Sequence, residues 1–289
     1  MASGSGDDDP VLSEGERWAA DALTALRRRG FSPAATVGFL RDSLRRAGEI
    51  NGQHPELASQ ARLWAGVGTT GALALREAAA CAGRPVPGRE SLLGWLVALA
   101  LMLDWHLGMV EGIDGSTRER LSPADALTLS RAAAAPFLAA APPDRRWFVL
   151  LLGCAGTTDL LDGCLARRGK GPTRLGRDFD SLADAAFRIA ASRGARRAGW
   201  IDAGAERALV ARQMVFLAVA LWHWFGRSER PPKYHRMAMR LHVPLLLAGL
   251  ASGASGQPRV AGRLLRGAAV VGGIALIPVP MTPPQDRQA

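Results

Sequence analysis

The strongest constraint on this chain is a run of carboxylates set between apolar segments. Residues 157–187 read TTDLLDGCLARRGKGPTRLGRDFDSLADAAF and carry four spaced aspartates, Asp159, Asp162, Asp180 and Asp184. Spacings of three and four put each pair on one face of a helix. Four carboxylates converging between two antiparallel helices repel one another unless cations neutralise them, and hard oxygen ligands at that density select Mg²⁺, Mn²⁺ or Ca²⁺. Gly163 removes a side chain where a ligand must approach the backbone, and Arg167, one turn on, suits a fork-like phosphate contact. Together these residue types describe a site for a diphosphate and its metal ions.

Any one of these aspartates is also explained as a helix cap or a surface charge, and GKGPTRLG as a plain Gly/Pro loop. The full set is not so easily explained. It reads D-x2-D-G-x2-A-R-x8-G-x3-D-x3-D, from Asp159 through Gly163, Ala166, Arg167, Gly176 and Asp180 to Asp184. Its chance odds at a given position are on the order of 10⁻⁹ with average residue usage.

Before about residue 90 the sequence mixes charges with Gly and Pro; later segments concentrate Leu, Val, Ala and Trp. Trp18 to about Ala47 reads as two helices, the second begun by Ser32 as N-cap and Pro33 at the first helical position, and a third helix follows at about 55–80. Residues 91–110, SLLGWLVALALMLDWHLGMV, read as a buried or interfacial helix with a membrane span as the alternative, because Asp104 and His106 interrupt it. Those two polar residues, without a third, are read as satisfied groups rather than as metal ligands. Six further helices are expected at about 124–141, 146–167, 178–194, 205–226, 237–254 and 260–280. The fourth and sixth of these are the clearest membrane candidates. The third holds Asp178, Asp180, Asp184 and Arg188, so it is either no span or the wall of a site.

A formal charge of +10 and a pI near 11 invite a nucleic-acid partner. Much of the excess instead flanks apolar segments, at Arg167, Arg168, Lys170, Arg174 and Arg177, and at Arg227, Arg230, Lys233, Arg236 and Arg240, as the positive-inside rule requires. With a single Tyr and no aromatic-basic interleaving, no nucleic acid is expected. The same loops place residue 120 and the aspartates on the cytoplasmic side, leaving Arg193, Arg196 and Arg197 outside unless the third helix is longer than drawn. Cys81, Cys154 and Cys164 lack CxxC spacing and are expected to be buried and structural. The N-terminal MASGSGDDDPVLSEGE has no secretory-signal order and reads as a disordered cytoplasmic tail.

The aspartate pattern resembles, without a gap or substitution, the signature of the CDP-alcohol phosphatidyltransferases, and SPADALTLSRAAAAPFLA at 122–139 looks like that family's lead-in to its first membrane helix. The resemblance covers roughly residues 120–280. It implies an all-α fold: an integral-membrane bundle of six transmembrane helices, here preceded by a mostly soluble helical region. The expected division is a tail at 1–14, a helical extension at 15–118, a membrane-embedded catalytic domain at 119–281 and a tail at 282–289, in a multi-pass protein of the plasma membrane. The implied activity is transfer of a phosphatidyl group from a CDP-linked lipid, such as CDP-diacylglycerol, to a small or lipid alcohol, with release of CMP. Asp159, Asp162, Asp180 and Asp184 would hold two divalent cations, Mg²⁺ or Mn²⁺, Asp184 would also act as base, and Gly163, Ala166, Arg167 and Gly176 would line the CDP pocket. The family also suggests a homodimer among surrounding membrane lipids.

The acceptor is less constrained. Arg188 and Arg212 are expensive in a membrane and suit an acceptor phosphate, though either equally suits a neighbouring aspartate. FDSLAD matches the serine-using branch at a few residues, but AAFRIA replaces its usual continuation, so the reading leans to a phosphorylated polyol such as glycerol 3-phosphate. Two rival classes remain. An intramembrane Mg²⁺-dependent prenyltransferase also uses Asp-rich helices but lacks the fixed Gly, Ala and Arg. A non-catalytic membrane scaffold has no reason to bear the electrostatic cost of the aspartates.

Overall fold

The computed structural model describes residues 13–112, 116, 118–141, 145–168, 171, 173–226 and 233–274. Among these the chain is all-helical, with no strand and one isolated antiparallel bridge between Gly112 and Thr173. Four helices come first: α1 (Glu14–Arg28), α2 (Pro33–Gln53), α3 (Pro55–Cys81) and α4 (Arg89–His106), which runs into a single 3-10 turn, Leu107–Met109. Six more follow: α5 (Pro123–Ala140), α6 (Arg145–Arg168), α7 (Arg174–Arg197), α8 (Ala203–Gly226), α9 (Lys233–Ala254) and α10 (Pro258–Ile274).

Local chemistry sets the helix starts. The segment ending in SEGE is expected to be tail, yet α1 starts at Glu14 because Ser13 and Glu16 close a reciprocal capping box; Ser122 and Asp125 close another on α5, where Pro123 occupies the first turn. Ser32 and Thr173 cap α2 and α7 through their hydroxyls. The third helix of the later group was expected at 178–194, yet α7 begins at Arg174 and ends at Arg197. Gly and Pro made GKGPTRLG look like a continuous loop, whereas Thr173 starts the helix inside it. Arg193, Arg196 and Arg197 therefore sit in the last turns of α7, and Arg197 Nη1 donates to the carbonyl of Ala139 at 3.0 Å near the end of α5.

The main core joins Leu92 and Leu96 of α4 to Phe137 and Leu138 of α5, Phe148 of α6, Ala191 and Ala195 of α7, Leu209 of α8, Leu246 and Leu250 of α9 and Leu265 of α10. Close approach in the last hairpin rests on small residues. A methyl at Gly249 would meet Leu265 Cγ at 2.7 Å, and Gly253 likewise leaves room for the ring of Trp200, from the connection between α7 and α8.

The first four helices are built into this bundle. Pro136 lacks the N–H that would bond the Ala132 carbonyl within α5, and Trp95 Nε1 of α4 donates to that carbonyl at 2.9 Å instead. Gln60 of α3 bonds both backbone groups of Leu121, donating to its carbonyl at 3.3 Å and accepting from its amide at 2.9 Å. Asp104 accepts from Asn51 Nδ2 at 2.8 Å, while His106 Nδ1 donates to the Met102 carbonyl at 2.7 Å and its ring stands edge-on to Phe179. The two residues are thus satisfied separately.

Among the described residues, Arg89–Met109 is long and apolar enough to cross a membrane, the alternative weighed for this segment. Side chains from 216 onward in α8 and residues beyond 274 lie outside those described. The cysteines depart from expectation: Cys81 and Cys154 are exposed free thiols, because α3 and α6 turn those positions outward, and Cys164 is outside the described side chains.

Candidate functional site

Two helix caps meet at the base of the site. Asp125 Oδ2 accepts from the amide and hydroxyl of Ser122 at 2.7 and 2.8 Å, while its Oδ1 accepts from Thr173 Oγ1 at 3.0 Å. Thr173 Oγ1 in turn accepts from the Gly176 amide at 2.8 Å. One buried carboxylate therefore registers the first turn of α5 against the first turn of α7. Gly176 is the residue this junction permits: a Cβ there would lie 2.6 Å from Asp125 Oδ1 and 2.9 Å from Thr173 Oγ1. Gly176→Ala is expected to cost about 1–3 kcal/mol by overpacking, read as a lowered thermal midpoint in detergent; an unchanged midpoint would show that the two caps yield freely.

One turn further along α7, Asp180 and Asp184 face α5. Arg131, only 3% exposed, donates through Nη2 to Asp180 Oδ1, and the same nitrogen lies 3.7 Å from Asp184 Oδ1. Arg188 donates to Asp184 Oδ2 from the next turn. Two carboxylates on one helical face are thus held between two guanidiniums, with Asp180 51% and Asp184 35% exposed at their side chains. That leaves oxygens at the surface of the site while like-charge repulsion is balanced from behind.

Arg188 also lies within electrostatic range of two buried groups, Arg212 of α8 and His242 of α9. His242 Nδ1 donates to the Ala268 carbonyl of α10 at 2.8 Å. A methyl at Gly272 would collide with Arg212 Cδ and lie 3.0 Å from His242 Nδ1, so this buried arginine and histidine fit against α10 through the absence of a side chain. The structure thus brings together Asp180, Asp184, Arg188 and Arg212 from the sequence reading, and sets Gly176 at the helix start below them. Asp159, Asp162, Gly163, Ala166 and Arg167 lie on α6, but their side chains fall outside those described. Among the described residues, no group of three or more His, Cys, Asp or Glu side chains is arranged to hold a metal ion.

Sequence reasoning missed Arg131, Asp125, Thr173 and His242. Arg131 carried a legible signal, a lone charge in the apolar run LTLSRAAAAPFLA, which is tolerated only facing a bundle interior. Asp125 had the capping spacing from Ser122, but its bond to Thr173 depends on which helix lies opposite.

Residues 121–276, more than half of the chain, match the family model described as CDP-alcohol phosphatidyltransferase. The chain belongs to the CDP-alcohol phosphatidyltransferase family. Membership carries a general activity, transfer of a phosphate-linked group from a CDP-alcohol to an alcohol acceptor, in a family that is generally divalent-metal dependent and whose members are typically membrane proteins. No curated protein and no solved structure matches the chain.

Proposed function

We propose that this protein is a multi-pass membrane transferase of phospholipid synthesis, moving a phosphatidyl group from a CDP-linked lipid such as CDP-diacylglycerol to an alcohol. The observation that carries the reading is the chain of charges Arg131–Asp180–Asp184–Arg188, partly buried between helices of the family-matched region. Charges so placed are retained where they serve a site. Residues 119–281, with α5 to α10 as six spans, form the membrane-embedded unit, and residues 15–118 its extension.

Asp180 and Asp184 present hard oxygens on one face, the donor chemistry that Mg²⁺ or Mn²⁺ takes. With Asp159 and Asp162 they would hold two divalent cations, which when bound neutralise charge on the attacking and leaving oxygens of a phosphoryl displacement. Gly163, Ala166, Arg167 and Gly176 line the CDP pocket. Asp184 accepts the proton of the acceptor hydroxyl. The acceptor oxygen bonds to the lipid phosphorus as the bond from that phosphorus to the bridging oxygen breaks, and CMP departs with the electron pair.

Support for a lipid-linked donor comes from a groove of about 450 Å³ between α3, α4 and α5, lined by Trp64, Val67, Leu96, Leu99, Leu129 and Ala133 among others. It opens along the same helix that carries Arg131. Support for a phosphorylated acceptor, glycerol 3-phosphate among the candidates, comes from two arginines beyond Asp184: Arg188, bonded to that aspartate, and the buried Arg212 within electrostatic range of Arg188. Arg212→Met is expected to raise KM for such an acceptor about 10–100-fold, the equivalent of a hydrogen bond to a charged group, with the donor KM unmoved. An unaltered acceptor KM would remove Arg212 from the acceptor site.

The deciding experiment is radiolabel transfer from CDP-diacylglycerol in membranes containing the protein, with Mg²⁺ or Mn²⁺, across a panel of acceptor alcohols. A lipid product formed with stoichiometric CMP supports the reading and identifies the head group. Release of diphosphate from a prenyl donor, with no CMP from CDP-diacylglycerol, would replace it with a prenyltransferase.

A further inference from the structure

We infer that the N-terminal helices are part of the donor-site machinery, with Glu16 of α1 acting as a positioning residue for the first turn of α7. This rests on the proposed donor site. Glu16 is 158 residues before Arg174, yet its buried carboxylate lies against that turn: Oε2 accepts from Arg174 Nη1 and Oε1 accepts from Arg177 Nη2 at 2.9 Å. Oε2 also accepts from the Ser13 amide at 3.0 Å, while Ser13 Oγ accepts from the Glu16 amide at 3.0 Å, so the carboxylate is fixed from its own helix as well. Arg174 is further tied to the segment after α4: its amide donates to the Glu111 carbonyl at 2.9 Å and its Nε lies 3.1 Å from Glu111 Oε1.

Packing locks the same contact. A methyl at Gly15 would sit 3.1 Å from the Gly108 carbonyl oxygen and 3.1 Å from Met109 Cγ, which makes α1 seat closely on the 3-10 turn. Leu175 and Phe179, on the buried side of α7, belong to a core shared with Leu57, Ala58 and Ala61 of α3 and with Leu103, Leu107 and Met109. Asp125 and Thr173 register the turn from α5. The extension holds it from the other side through two charge-assisted bonds. Gly176, between the two arginines that Glu16 grips, is therefore set in place from both sides.

The test uses the full chain in membranes, comparing wild type, Glu16→Gln and Glu16→Asp. Loss of the charge in Glu16→Gln is expected to raise KM for CDP-diacylglycerol and weaken inhibition by CMP roughly tenfold, leaving the acceptor KM unchanged. Amide hydrogen exchange should quicken at residues 173–180. Glu16→Asp, which keeps the charge and a route to folding, should restore most of the donor KM. Equal donor KM and CMP inhibition in wild type and in both variants, or faster exchange at 173–180 without a change in either constant, would overturn the inference. Wild-type protein that turns over no CDP-linked donor would instead sink the functional reading, and the exchange measurement would still report whether Glu16 holds the turn.

Discussion

Asp184→Asn is expected to lower kcat for CMP release about 10²- to 10⁴-fold, the span that a positioned general base contributes. Asn keeps the size of the side chain and retains a carbonyl oxygen able to accept from Arg188 Nη2, the bond that holds this face of α7. The protein should therefore fold and reach the membrane at wild-type levels, so the loss is one of chemistry. Removing the carboxylate also weakens the expected cation site, and titrating Mn²⁺ separates the effects: restored turnover at high metal marks a ligand role, persistent loss marks the proton acceptor. Activity within threefold of wild type at ordinary metal would end the case for Asp184 in either role.

Arg131→Met follows in size. Methionine preserves much of the apolar stem of this buried side chain and removes the charge that faces both Asp180 and Asp184. Because Asp180 is about half exposed, water compensates part of the loss, and the stability cost should be near that of a hydrogen bond to a charged group, about 1.5–3 kcal/mol. Activity should fall by a comparable free energy, about 10–100-fold, as when the partner that orients a metal ligand is lost. Arg131→Lys keeps one charge without the planar fork and should fall between the two. Thermal midpoints in detergent and CMP release in membranes read the two effects separately. Undiminished turnover in Arg131→Met would show that Asp180 and Asp184 hold their positions without it.

A gentler effect is expected for acid. Burial alone would raise the Glu16 carboxyl, but the bond from the Ser13 amide, the bond from Arg177 and the charges of Arg174 and Arg177 outweigh it and hold the group below the ordinary glutamate value. A carboxyl depressed in the folded state contributes stability above its unfolded value, about 4.3, and loses it as pH falls through the lowered one. The thermal midpoint of wild type should therefore drop more steeply below pH 4.5 than that of Glu16→Gln. Parallel acid limbs would show that Glu16 gains nothing from its partners.

What was legible in the sequence is what short-range periodicity records. Asp180 and Asp184 share a face because four residues make about one helical turn, and Ser32–Pro33 marks the start of α2 because cap and first-turn chemistry is local. The early start of α7 escaped because Gly171 and Pro172 stand just ahead of Thr173 and conceal its capping role. Glu16 escaped for another reason. It closes a segment that reads as tail although its spacing from Ser13 is that of a capping box, and nothing local says that the same carboxylate meets Arg174 and Arg177. Arg131 lay between these cases, with its burial readable from the apolar run around it and its partners set only by how α5 and α7 cross.

Gly272 shows how an unreactive position can govern selectivity. Its hydrogen in place of a methyl leaves the room that the Arg212 methylenes and the His242 ring occupy. On the proposed reading, the size of one residue in α10 would then tune which head group the enzyme accepts, by moving the guanidinium toward or away from the acceptor without touching either substrate. Variation along this outer helix would be a route by which a fixed carboxylate site is turned to different alcohols.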